Sequence, residues 1–414
     1  MNIYRKGMRT KVIVLSIDGF LGSYFEDEQI TKLIPNLKKF AEQSAFSHTV
    51  ESVDPTVTYP SHTSMVTGKD PGVHGIFNNT LLDPFETNDG GWMWYAEDIR
   101  VKTLWSIAYE KKLKVGNVFW PVTVGADITY NLPQYWRKKI PEDDKLLRAL
   151  STNSLHRNAE KAVGSPLNDI TKDNVKFATA VWMFETYEPD LMFVYTTDLD
   201  TTHHGYGTFS EKAKNKLIEI DHLFGEFIAK IRLYERNDIA LILISDHGFA
   251  SANKICAPNL YLLKKGLIHP EKQQFEFIFK SSGGSAILLP GSSKPTPLEL
   301  KQIGQDLMME CPGSIFETNL ENSTLGSQHP NALAWLRTEE GLYFSGTRKG
   351  EIFTTPNPSI FGHGYDKRLA NMKTIGGIYF KGIRDKEAWK MTSVKDVFHR
   401  ACNLLSLNCR SNLN

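Results

Sequence analysis

Three stretches of the chain end an apolar run in a carboxylate: Asp18 in SIDGF, Asp198 and Asp200 in DLDTTHHGYG, and Asp246 in SDHGF. Two of them add imidazoles at once, His203 and His204 after the second run and His247 after the third. A charged group placed beside a core is costly unless it is paired or bound to a metal. One Asp-Gly is an ordinary turn signal; three such sites at the ends of separate apolar runs ask for a shared purpose. Carboxylate plus imidazole with no thiolate suits zinc, manganese or iron better than calcium. The groups outnumber what one tetrahedral ion needs, so two ions are the economical reading.

Two further segments complete the chemistry. In TYPSHTSMVTG (58–68) the spacing predicts a helix from about Pro60 to Gly68, since proline favours a first turn and glycine a stop. Thr58 then sits just before a helix N-terminus, a place that favours negative charge and phosphate. A free threonine hydroxyl is a poor nucleophile, but a nearby cation and the helix dipole would activate it. Near the C-terminus, His363 in IFGHGYDKR is a Gly-flanked imidazole suited to close a site built earlier in the chain.

The elements that must position these residues are readable from the apolar runs. KVIVLSI (11–17), VGNVFW (115–120), DLMFVYTT (190–197), IALILIS (239–245) and TIGGIYF (374–380) are nearly continuous, as strands covered on both faces of a parallel sheet are. Helix-like segments at 35–45, 103–112, 173–188 and 211–232 alternate with them. The expected fold is therefore α/β, a doubly wound, mainly parallel sheet with helices on both faces. Asp18, Asp200 and Asp246 fall at the carboxyl ends of strands, where ligands bind in such sheets. The 414 residues are expected to form a single catalytic domain over 1–414, with a small inserted cap at about 125–165 and irregular inserted loops at about 281–345.

A formal net charge of +1 gives no general attraction to duplex nucleic acid or an anionic membrane. No run approaches the roughly 20 apolar residues of a bilayer span. The N-terminal apolar stretch is too short for a signal peptide, so the chain as written reads as cytoplasmic, or as periplasmic or secreted if a leader was removed. Cys256, Cys311, Cys402 and Cys409 form no metal-finger spacing and are expected to be free thiols. The oligomeric state is not readable.

With SIDGF, TYPSHTSMVTG, HGIFNN, DLDTTHHGYG, SDHGF and GHGYD in this order, the chain resembles the nucleotide pyrophosphatase/phosphodiesterase family of the alkaline phosphatase superfamily, from about residue 11 to 400. The resemblance implies an alkaline-phosphatase-like fold, two zinc ions (other divalent metals being possible) and Thr58 as the nucleophile. By this likeness Asp200, His204 and His363 hold one zinc, and Asp18, Asp246, His247 and the Thr58 oxygen hold the other. Asn79 takes the place of the phosphoryl-oxygen donor. Tyr59 and Tyr195 take the places of two aromatics that sandwich a leaving group. The chain departs from the family pattern at Ser61, where asparagine is usual, and at His203, where glycine is usual.

The implied function is a two-zinc hydrolase that cleaves phosphodiester or pyrophosphate bonds of nucleotide-like small molecules through a phosphothreonine intermediate. The alternative is a phosphate monoester or phosphonate (phosphonoacetate-type) hydrolase on the same site. A monoesterase wants an arginine or a third metal for its dianionic phosphate, and no arginine falls in the nucleophile motif. The Cys/Ser-x-Pro-x-Arg signature of sulfatases is absent. A catalytically dead binding protein would have lost ligands, and all seven positions are present.

Overall fold

The structure is a computed structural model that describes residues 9–85, 87, 91–135, 142–168, 171–318 and 329–409. Its main sheet has seven strands: β1 (Lys11–Ile17), β2 (Ala45–Val50), β3 (Val115–Val118), β4 (Tyr130–Leu132), β5 (Leu191–Thr196), β6 (Ile239–Ile244) and β7 (Thr374–Phe380). Their order is β2-β7-β6-β1-β5-β3-β4. The block from β6 to β4 is parallel, whereas β7 runs antiparallel to both β6 and β2.

Alternate residues of the central strands enter two different cores, which is why their runs are apolar throughout. Ile13, Leu15 and Ile17 join Val194 and Leu243 on one face, under Phe40, Phe177, Met183 and Phe224 of three helices. Val12 and Val14 join Phe193 and Ile242 on the other, under Met65, Trp105 and Phe398. Helices thus cover both faces, as the periodicity predicts.

Register brings the strand ends level. Ser16 pairs with Tyr195 on one side and with Ile244 on the other. The residues that follow (Asp18, Asp198–Asp200 and Asp246) therefore leave the sheet at one edge.

Several expectations need correction. TIGGIYF is an antiparallel strand, a distinction that apolar content cannot carry. The stretch at 281–345 is not a set of irregular loops. Strands Phe277–Ser281, Ser285–Pro290, Ala334–Thr338 and Ser314–Glu317 form a second, antiparallel sheet in that spatial order. Helix Pro297–Glu310 covers it through Ile303 and Leu307, and the sheet has its own core around Phe279, Leu288 and Trp335. Gly, Ser and Pro at the strand ends mask the pattern; residues 319–328 lie outside the described residues.

The stretch at 125–165 is also more regular than expected. It supplies β4 and helices Asp143–Leu150 and Leu155–Val163, whose Leu147, Leu155 and Ala159 enter the first core. Residues 136–141 of it lie outside the described residues.

The four cysteines are not free thiols. Cys256 is bonded to Cys311 and Cys402 to Cys409. The first pair is separated by 55 residues and meets only because the Pro297–Glu310 helix returns to the strand Ala250–Cys256, so its partners carry no local signal. Among the described residues, no helix is long and apolar enough to cross a membrane.

Candidate metal centre

Asp18 follows β1, and its Oδ2 accepts a hydrogen bond from the Tyr195 hydroxyl. Its other oxygen lies 3.4 Å from His247 Nε2. Asp246 follows β6 with one oxygen on the Gly19 N–H (3.1 Å) and the other 3.3 Å from His247 Nε2. The turn that carries His247 is tight: a Cβ on Gly248 would stand 1.9 Å from the Asn371 carbonyl oxygen, so only glycine fits.

The Asp198–Tyr206 helix begins directly beyond β5. Asp200 and His204 are one turn apart on it, with Oδ1 and Nε2 separated by 3.4 Å. His363 Nε2 lies 3.9 Å from the same Asp200 oxygen. The His363 ring stacks on His247 with centroids 3.8 Å apart, which joins the two groups into one site.

Thr58 is the first residue of its helix, Thr58–Thr67, rather than a residue before it. It is 6% exposed, and Oγ1 lies 3.4 Å from His247 Nε2. The helix has no side-chain cap from its own N-cap residue; instead the Tyr59 N–H donates to Asn79 Oδ1 at 2.8 Å. That bond fixes the Asn79 carboxamide, because its oxygen faces the helix and its NH2 must face away.

The imidazoles share one design. Nδ1 of His204 faces the Phe361 carbonyl at 2.9 Å, that of His247 the Gly248 carbonyl at 3.1 Å, and that of His363 the Thr56 carbonyl at 3.1 Å. A carbonyl only accepts, so Nδ1 carries the proton and Nε2 offers its lone pair to the site. The carboxylates are complementary: Asp18 Oδ1, Asp200 Oδ1 and Asp246 Oδ2 are buried and have no hydrogen-bond partner.

Burial, reinforced by the neighbouring Asp246 and Asp200, pushes the Asp18 carboxyl well up. Burial likewise raises Asp200, and pushes Asp246 up to about 7. Burial drives His363 down to about 3 and His247 well below its ordinary value. The site is thus costly when empty of positive charge. Ligand atoms of Asp200, His204 and His363 lie within 4.8 Å of one another, as do those of Asp18, Asp200 and His247. Oriented imidazole nitrogens and orphaned carboxylate oxygens fit divalent cations of the zinc type.

The expected aromatic sandwich is not formed. Tyr59 is fully buried against Trp92, and Tyr195 is buried beneath Asp18 with its ring against His62. Both faces of β5 are covered, and Tyr195 falls on the one that enters the second core with Phe193. His203 points away from the ligands and meets the Tyr24 hydroxyl at 2.8 Å.

Sequence reasoning passed over His62. One helical turn after Thr58, its Nδ1 faces the Thr58 carbonyl at 2.8 Å and its Nε2 the Ser16 hydroxyl at 2.9 Å. The i, i+4 spacing from Thr58 was the available signal. Lys176, which bonds Asp173 and Thr197 behind the Asp198–Tyr206 helix, has no local sequence signature.

The sequence profile of the family described as type I phosphodiesterase / nucleotide pyrophosphatase matches residues 12–309. Ectonucleotide pyrophosphatase/phosphodiesterase family member 3 of Bos taurus is 25% identical over 253 residues, which are 57% of this chain and 24% of that protein. Family member 7 of Rattus norvegicus is 25% identical over 252 residues, 59% of this chain and 51% of that one. The chain thus spans about half or less of the length of the curated relatives it matches. Among solved structures, murine ectonucleotide pyrophosphatase / phosphodiesterase 5, an inactive form in complex with AMP, superposes with a TM-score of 0.66 at 20% identity, covering 97% of this chain and 96% of that one. The chain belongs to the type I phosphodiesterase/nucleotide pyrophosphatase family and has its alkaline-phosphatase-like fold.

Proposed function

We propose that this member of the type I phosphodiesterase/nucleotide pyrophosphatase family is a hydrolase that cleaves a phosphodiester or pyrophosphate bond in small nucleotide-like substrates. The observation that carries the reading is the convergence of three orphaned carboxylate oxygens and three oriented Nε2 lone pairs beside the Thr58 hydroxyl. The AMP held by the murine relative supports the nucleotide-like class. The two lobes are read as one catalytic unit, because His363 follows the second sheet in sequence yet completes the site built by the first.

Asp200, His204 and His363 would hold one divalent cation, and Asp18, Asp246 and His247, with the Thr58 oxygen, the other; zinc fits the donors best. When bound, such cations lower the pKa of a hydroxyl and neutralise charge that develops on phosphoryl oxygens. Thr58 Oγ attacks phosphorus: the Oγ–P bond forms, the bond to the leaving-group oxygen breaks, the hydroxyl proton leaves with that oxygen or to solvent, and the chain carries a phosphothreonine. Attack by water then breaks the Oγ–P bond, releases the phosphoryl product and returns a proton to Thr58.

Asn79, with its carboxamide oxygen committed to the Tyr59 N–H, presents its NH2 to a phosphoryl oxygen. The nearby lysines are committed elsewhere: Lys176 to Asp173 and Thr197, Lys280 to Thr80 and Leu81. With neither lysine bonded within the ligand cluster among the described residues, the site suits a monoanionic diester over a dianionic monoester. Rates on matched bis- and mono-nitrophenyl phosphates, with and without chelator, test the reading. Faster diester cleavage, lost on chelation, is expected; chelator-resistant turnover would contradict it.

A further inference from the structure

Asn79 lies in an extended segment that two different parts of the molecule hold. On one side, the Met93 N–H donates to the Asn79 carbonyl at 3.0 Å and the Leu81 N–H to the Gly91 carbonyl at 3.1 Å. On the other side stands the corner of the second sheet, between strands Phe277–Ser281 and Ser285–Pro290.

Asn78 is 6% exposed. Its NH2 donates to the Ser281 carbonyl at 3.1 Å and to the Ser282 hydroxyl at 2.9 Å, while its oxygen faces the Thr80 N–H at 3.4 Å. Lys280 reaches back across the same gap, and its ammonium donates to the Thr80 hydroxyl at 2.6 Å and the Leu81 carbonyl at 2.8 Å. Asn78 and Thr80, which flank Asn79, are thus tied to the second sheet.

The corner also grips the late ligand loop. The Gly284 N–H donates to the His363 carbonyl at 2.9 Å, and the Ser285 hydroxyl to the Gly364 carbonyl at 2.7 Å. A Cβ on Gly364 would stand 1.6 Å from the Ser282 carbonyl oxygen, which excludes any side chain from this approach. One rigid corner therefore sets the distance between the Asn79 segment and the His363 loop.

We propose that this corner is a positioning device for the phosphoryl-oxygen donor, with Asn78 and Lys280 as positioning residues that act through Asn79. The proposal rests on the role given to Asn79 above. A donor aimed at charge that develops in the transition state acts on kcat rather than on ground-state binding. Small displacements of such a group are expensive in rate.

The test is a set of double-mutant cycles. Lys280→Met and Asn78→Leu, of similar size and without the donors, are measured alone and combined with Asn79→Ala, with zinc content and unfolding midpoint recorded for each. Each single variant is expected to lower kcat roughly tenfold or more, with zinc content kept and KM within about twofold. Lys280→Arg, which keeps the donors, is expected to restore most of the rate. In the Asn79→Ala background the same substitutions are expected to cost less than about twofold, because residues that act as a unit are not additive.

Full additivity in the cycles, or an unchanged kcat in the single variants, would overturn the positioning role while leaving Asn79 as donor. An unchanged kcat in Asn79→Ala alone would overturn the donor role, and the positioning proposal with it.

Discussion

Thr58 and the ligands around it make separable demands. Thr58→Ala removes the oxygen proposed to attack but none of the six carboxylate and imidazole side chains. Turnover should fall by at least about a thousandfold, while zinc content, read by elemental analysis, stays near that of the parent. Asp200→Asn replaces an oxygen that faces both His204 and His363, at 3.4 and 3.9 Å. Zinc content should drop by about one ion per chain while the fold is retained; a full complement would exclude Asp200 as a ligand.

The convergence of the proposed ligand residues was legible in the sequence because they directly follow an apolar strand, lie on the short helix that begins beyond β5, or, for His363, sit in a glycine-flanked turn. The aromatic pair was not. Tyr195 lies in a strand buried on both faces, with its hydroxyl turned onto Asp18, and spacing along the chain does not report that contact. Asn78 and Lys280 were invisible for a different reason: their partners are about 200 residues away.

Elements fix the geometry that residues exploit. The register of β1 with β5 and β6 makes three loops coincide, and the Asp198–Tyr206 helix turns Asp200 and His204 to one side. Continuous apolar character revealed these parallel strands. It concealed the antiparallel sense of β7 and missed β2, an edge strand with mostly half-exposed residues. The SDHG turn is tightly constrained. Gly248→Ala would drive a Cβ against the Asn371 carbonyl, so a loss of about 1–3 kcal/mol in denaturant unfolding is expected, together with reduced zinc affinity. An unperturbed unfolding curve would show that this turn relaxes without cost.

At the scale of the whole molecule, the described residues form the doubly wound main sheet, the antiparallel sheet and a smaller mixed sheet built on the strand Ala250–Cys256, and loops of all three come together at the site. Cations that bind only the folded chain stabilise it by mass action, by about 2.7 kcal/mol per site at a hundredfold excess over Kd. Chelation should therefore lower the unfolding midpoint by roughly 5 °C or more, read by calorimetry with and without restored zinc. An unchanged midpoint would mean that the three orphaned carboxylates are satisfied without metal.

The disulfides are a property of this scale too, since Cys256 and Cys311 meet only in the finished fold. Thiol titration of the denatured, unreduced protein should find no free thiol, and reduction should release four.

The most direct measurement of the central claim is an anomalous-scattering map at the zinc edge, from crystals grown with zinc. Two peaks are expected, one among Asp200, His204 and His363 and one among Asp18, Asp246, His247 and Thr58. A map with no peak beside Thr58, or with zinc held by other residues, would contradict it.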